Sequence, residues 1–236
     1  MSSEDQISLF SLTESPEPVA PTRANPELIP SDPKIPIPAG TYECMEQLAA
    51  HCSQCFRCVL GQTRTNAVIY RGNIQAPLML IGEGPGQHED EQGKPFVGKS
   101  GQLLDKILQS VNLDVEQDVF ICNVVKCRPP ENRDPTPQEA EACKGYLFEQ
   151  IRLVNPKIIL LTGKIALRTL LGVKEGITKV RGQWIESGDR LYMPIFHPAY
   201  LLRNQSKEKG SPKWLMWQDI QAVRRKLDQI LAEEAE

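Results

Sequence analysis

Three short apolar runs constrain this chain more than any other feature. Leu78–Gly82 is continuously apolar, as is most of Val119–Val125 and of Lys157–Thr162. A strand with no polar alternation must be covered on both faces, which is the condition of a parallel sheet sandwiched between helices. The segments between these runs have helical character. Gly101–Val111 carries Leu103, Leu104, Ile107, Leu108 and Val111 on one stripe. Thr136-Pro137-Gln138-Glu139 is a helix start, with Thr as N-cap, Pro in the first turn and Glu closing a capping box. That helix is expected to run to about Val154, and another covers Ile165–Leu171. Ser211-Pro212 opens the last helix, and a helix is also expected over Thr41–Cys52. Ala67–Tyr70, Gln183–Glu186 and Leu191–Ile195 read as further strands. Strands alternating with helices make the class α/β with a mainly parallel sheet.

In such sheets ligands bind at the carboxyl ends of the strands. Three unusual segments follow strands: Glu83–Glu91, Lys126–Arg133 and His197–Arg203. The sequence therefore predicts that they meet on one edge.

Gly82-Glu83-Gly84-Pro85-Gly86 lets a backbone approach a ligand closely and expose its N–H groups, although a plain tight turn would use the same residues. Neither the dinucleotide fingerprint nor the P-loop spacing is present. A polar run and then Phe96 follow, an aromatic placed to stack on a base or to fill the core. Asn123 lies in an apolar strand, where an amide is costly unless paired. Its donor and acceptor could read the O4 and N3–H edge of uracil, whose order cytosine reverses, or could bond the backbone. His197, rigidified by Pro198, could stabilise a developing anion or simply end a strand. Leu201 and Leu202 are either a wedge for a base stack or core.

Seven cysteines include Cys52, Cys55 and Cys58 in C-x2-C-x2-C spacing, with Cys127 and Cys143 further on. Four thiolates in two pairs suit an iron–sulfur cluster or zinc, and the wide second spacing is unlike a zinc ribbon.

The blocks G-E-G-P-G-x-x-E-D, P-F-V-G-K-S-G, N-V-V-K-C-R-P-P-x-N-R and H-P-A-Y-L-L-R together resemble the family 4 uracil-DNA glycosylases of bacteria and archaea, over about residues 50–232. The resemblance implies a three-layer α/β/α fold with a central, mainly parallel, four-stranded sheet and a 4Fe–4S cluster. It also implies release of free uracil from DNA, single- or double-stranded, leaving an abasic site. The second ligand pair corresponds to Cys127 and Cys143. The family's R-T pair begins six residues after the second ligand, as Arg64-Thr65 does after Cys58, which selects Cys55 and Cys58 and leaves Cys52 spare. The alternative pair Cys52/Cys55 needs a three-residue insertion.

On this resemblance Phe96 stacks on the flipped base, Asn123 reads its edge, and Asn132 supports the pocket. Backbone groups at Glu83 and Gly84, with His197, stabilise charge on O2. Glu83 or Glu89 handles the water, or Glu89 blocks the thymine methyl. Leu201, Leu202 and Arg203 contact the DNA. Lys99, Arg128, Arg133, Arg181, Lys207 and Lys213 are further phosphate contacts by charge alone. A non-catalytic iron–sulfur DNA-binding module and a glycosylase for another deaminated base are the alternatives.

The net charge is −3, but residues 1–40 alone carry −4, leaving a nearly neutral body that can present a basic face. Those 40 residues hold eight of the 19 prolines and read as a disordered arm, with the glycosylase domain over 41–236. Within the arm, Gln6-Ile7-Ser8-Leu9-Phe10 resembles the bacterial sliding-clamp-binding pentapeptide. No apolar run is long enough to span a membrane and no secretory pattern opens the chain, so a cytoplasmic monomer associated with the nucleoid is expected.

Overall fold

The computed structural model describes residues 32–234; the Gln6–Phe10 pentapeptide lies outside them. Six strands form one sheet: β1 (Arg71–Gly72), β2 (Leu78–Gly82), β3 (Val119–Asn123), β4 (Ile158–Thr162), β5 (Ile185–Ser187) and β6 (Arg190–Ile195). Their order is β1-β3-β2-β4-β6-β5. The four central strands are parallel, as expected. The two edges add short antiparallel strands to the expected four-stranded sheet. At the β1 edge, pairing starts at Arg71 rather than along Ala67–Tyr70, because the Val68 N–H goes to Lys126 O (2.7 Å), past the end of β3.

Every residue of β2, β3 and β4 is buried, the outcome that unbroken apolarity demands. Alternate side chains feed two cores. Met79, Ile81, Phe120, Cys122, Ile159 and Leu161 face a layer containing α1 (Met45–Ser53), α4 (Pro137–Val154) and α5 (Lys164–Leu171). Leu78, Leu80, Val119, Ile121, Ile158 and Leu160 face α3 (Lys99–Gln109) and α8 (Pro212–Glu233). The result is three layers, α/β/α.

The helix starts follow local chemistry. The Thr136 hydroxyl accepts from Glu139 N (3.2 Å) while the Glu139 carboxylate accepts from Thr136 N (2.8 Å), closing the capping box ahead of α4. Ser211 caps α8 through Trp214 N. Two short helices replace expected loops: α2 (Gln87–Gln92) and α7 (Pro198–Arg203). The six residues of α2 carry no apolar stripe, and α7 is capped by an imidazole, so periodicity and the usual cap residues both fail to announce them. The remaining α-helix among the described residues is the single turn α6 (Ile177–Val180), beside 3-10 turns at Val59–Gln62 and Pro130–Asn132.

The globular body begins before residue 41. Ile37 is buried against Gly145, and the N–H groups of Gly40 and Tyr42 donate to the buried Glu149 carboxylate. The Arg57 guanidinium donates to Ile35 O (2.5 Å) and Ala142 O (3.3 Å), holding this segment down. The proline-rich composition concealed these anchors. Among the described residues, no helix is long and apolar enough to cross a membrane.

Candidate active site

The carboxyl ends of β2, β3, β4 and β6 surround a cavity of about 710 Å³. It gathers Glu83, Gly84, Glu89, Phe96, Asn123, Asn132, His197 and Arg203 from three separate segments. Leu201 and Leu202 do not line it. Leu201 is 1% exposed in the core beside α8, so it is no wedge for a base stack; Leu202 is half-buried in α7.

Phe96 and Asn123 meet over Gly82, the last residue of β2. A Cβ there would collide with Asn123 Oδ1 and with Phe96 Cζ at 2.6 Å, so glycine is required. Phe96 itself sits at φ +54, a backbone conformation that side chains rarely adopt. Gly101 permits it, because any side chain there would run into the Phe96 carbonyl. Strain held this firmly at a cavity wall is characteristic of a functional position. The Phe96 ring stacks near His197, centroids 5.8 Å apart and planes at 29°.

Asn123 is 2% exposed and its Oδ1 has no hydrogen-bond partner. A buried acceptor left unmade costs about 1–3 kcal/mol, so this atom is a vacancy in the polar accounting of the fold.

His197 is held by its role as the cap of α7. Its Nδ1 accepts from Ala199 N (3.1 Å), which puts the proton of the neutral ring on Nε2. Burial, and then the Arg203 charge, pull its pKa down to about 4. At neutral pH the residue is an uncharged N–H donor with a fixed orientation.

Glu89 lines the cavity and is anchored by backbone donors. Its carboxylate accepts from Gly86 N (3.2 Å), Val97 N (2.9 Å) and Gly98 N (2.8 Å). It clamps the start of α2 to the loop that carries Phe96. Asn132 Oδ1 accepts from Arg128 Nε (2.7 Å), and Glu131 and Asn132 both have positive φ, so this loop is tightly shaped. Two expected phosphate contacts are engaged within the chain: Arg133 is bidentate to Glu139, and Arg181 pairs with Asp219.

The sequence reading passed over Asp134 and Lys164, which also line the cavity. Lys164 Nζ lies 2.6 Å from Asp134 Oδ2. Burial, reinforced by the Asp134 carboxylate, pushes the Glu83 pKa up to about 7. Neither Asp134 nor Lys164 belongs to an apolar pattern or a spaced motif, so nothing in one dimension links them.

On the other side of the loop after β3, Cys52, Cys55, Cys58, Cys127 and Cys143 line a small cavity with Arg57 and Lys126. None is in a disulfide. Lys126 N donates to Cys143 Sγ (3.4 Å), Arg57 N to Cys55 Sγ (3.4 Å) and Arg64 Nη1 to Cys127 Sγ (3.1 Å). Burial pushes Cys143 up to about 12 and raises Cys52, Cys58 and Cys127, so thiolates there need bound positive charge. Among the described residues no three His, Cys, Asp or Glu side chains are arranged to share one metal ion. Five thiols that converge on one cavity, with N–H donors aimed at three of the sulfurs, fit the ligand set of an iron–sulfur cluster.

A family model described as the uracil DNA glycosylase superfamily matches residues 69–221. The type-4 uracil-DNA glycosylase of Thermotoga maritima is 47% identical over 168 residues, covering 70% of this chain and 87% of that protein. Its counterpart in Archaeoglobus fulgidus is 39% identical over 176 residues, with 71% and 88% covered. A type-5 uracil-DNA glycosylase of Pyrobaculum aerophilum is 27% identical over 204 residues, with 74% and 89% covered.

Proposed function

The chain belongs to the uracil-DNA glycosylase superfamily, alongside its type-4 members, and from that premise we propose that it removes uracil from DNA by hydrolysing the N-glycosidic bond. One observation carries the reading: the unpartnered, buried Oδ1 of Asn123 at the floor of the cavity. Uracil offers N3–H to that acceptor and O4 to the amide's Nδ2. Cytosine presents an acceptor at N3 and a donor at C4, so it would oppose like to like.

A base inside a duplex cannot reach this floor, so the nucleotide is extruded, at a cost of about a few kcal/mol. Phe96 gives the extruded ring a stacking face. As the C1′–N1 bond breaks, its electron pair moves to the uracil N1–O2 system. Neutral His197 donates Nε2–H to O2 and stabilises that charge without surrendering a proton. Glu83 lines the same cavity, where its carboxylate can accept the proton of the attacking water. Asn132 shapes the loop facing the sugar, and Arg203 supplies positive charge toward phosphate.

Cys55, Cys58, Cys127 and Cys143 would hold a 4Fe–4S cluster, with Cys52 as the buried fifth thiol against it. Bound there, the cluster would supply a structural cross-link. It would tie residues 52–64 to the loop after β3, whose other end carries Asn132.

The partner is uracil-containing DNA, single- or double-stranded, and the enzyme acts as a monomer in the cytoplasm. The Gln6-Ile7-Ser8-Leu9-Phe10 segment, outside the described residues, would dock on a sliding clamp. The test is an oligonucleotide with one central uracil, incubated with purified protein. Free uracil and an alkali-labile abasic site are expected, with thymine and cytosine controls intact. An unreacted uracil strand removes the proposal.

A further inference from the structure

Glu83, Asp134 and Lys164 come from three different strand ends. Glu83 follows β2, Asp134 ends the loop after β3, and Lys164 is the first residue of α5 after β4. Gly163, at φ +88, turns the chain so that α5 begins at the cavity. Lys164 Nζ is 2.6 Å from Asp134 Oδ2, and this ion pair lines the same cavity as the Glu83 side chain. A lysine at the first position of a helix opposes the helix dipole, a placement local stability does not favour. Arg133, the nearer cation in sequence, donates from its guanidinium to both Glu139 carboxylate oxygens. Its contact with Asp134 is to the backbone carbonyl, and among the described residues Lys164 is the cation paired with the Asp134 side chain.

We propose that Asp134 and Lys164 are positioning residues for the hydrolytic step, an ion pair that shares the cavity with the Glu83 carboxyl and governs its proton. The inference rests on the uracil-excision reading above. In that step the water oxygen forms a bond to C1′ as the C1′–N1 bond breaks and its electron pair leaves with uracil. One water proton passes to the Glu83 carboxylate and returns through solvent to the uracil anion, so the net reaction consumes one water. The step requires ionised Glu83. The Asp134 carboxylate opposes that ionisation and the Lys164 ammonium favours it, in agreement with the upward displacement of Glu83 to about 7. The other charged or titratable groups around the cavity are Glu89, bound by three backbone N–H groups, neutral His197, Tyr200, Arg203, and Arg133, which is paired with Glu139. Lys164 and Asp134 have side chains 58% and 57% exposed, so salt screens the Lys164 contribution.

The experiment is single-turnover uracil release by the full chain across about pH 5 to 9, with the acid limb of the profile as readout. Asp134→Asn should move that limb to lower pH by about one unit, and Lys164→Met to higher pH by a similar or smaller amount. Lys164→Arg should restore the wild-type limb. A purely structural pair would lower the rate at every pH and leave the limb in place. Limbs unmoved in both variants, or moved in the same direction, overturn the proposal while wild-type activity preserves the excision reading. A ¹³C titration of the Glu83 carboxyl in the free protein gives an independent readout: opposite displacements in the two variants are expected, and none refutes the coupling. An inactive wild type instead removes the excision reading itself.

Discussion

The replacement His197→Ala separates two pictures of catalysis at this site. The Nδ1 of His197 is occupied by Ala199 N at 3.1 Å, and the ring stays neutral because its pKa is held near 4. A neutral donor aimed at a developing oxyanion contributes about 2.7–4 kcal/mol, so His197→Ala should lower the single-turnover rate by about 10²- to 10³-fold at neutral pH. Affinity for uracil-containing DNA should change little, since phosphate contacts supply most of it. The pH behaviour gives the sign. Between about pH 4 and 6.5 the unfolded chain binds a proton at this residue and the folded chain does not. Wild-type stability should therefore rise with pH across that window, by at most about 3 kcal/mol more than in the Ala variant. Paired urea denaturations near pH 4.5 and pH 7.5 measure the difference, and quenched-flow release of labelled uracil measures the rate. A loss smaller than tenfold would refute the oxyanion role. So would a wild-type rate that falls as pH rises through about 6.5 with a limb missing from His197→Ala, since that marks a cationic imidazole.

Other outcomes follow from the same geometry. Asn123→Ala removes an unpaired buried acceptor, so kcat/KM for uracil should fall by at least about tenfold while unfolding stability stays level or rises; a large loss of stability would show that the amide is structural. Gly101→Ala forces the Phe96 backbone aside and should cost about 1–3 kcal/mol of stability with a marked loss of activity; an unchanged melting temperature would show that the Phe96 conformation is not locked. Cys58→Ala and Cys143→Ala should abolish iron and sulfide incorporation, whereas Cys52→Ala should retain both; retention by Cys58→Ala and loss by Cys52→Ala would reverse the ligand assignment. Glu89→Gln cannot satisfy all three backbone N–H groups and should destabilise the protein by about 1.5–3 kcal/mol, mainly through the Phe96 loop; melting curves that coincide with wild type would free Glu89 for a chemical role.

Much of the architecture was legible in one dimension because its causes are local. Apolar runs that continue without alternation can only be interior strands, and β2, β3 and β4 are buried at every residue. The capping box at Thr136 and Glu139 formed as read, since its partners are three residues apart. The strand-end segments carrying Glu83, Asn123 and His197 converge because a parallel sheet brings its carboxyl ends together. What the chain alone could not reveal depends on contacts between distant residues. Leu201 and Leu202 look alike in sequence, yet Leu201 is enclosed by α8 and Leu202 is not. Glu89 reads as one acid in a polar run until the loop at Val97 and Gly98 folds back onto it. Asp134 and Lys164 stand 30 positions apart and acquire meaning only when β4 delivers α5 to the edge where Glu83 waits. Periodicity and capping are short-range signals, whereas the state of a proton depends on which charges share a few ångströms of low-dielectric space, and only the folded chain decides that.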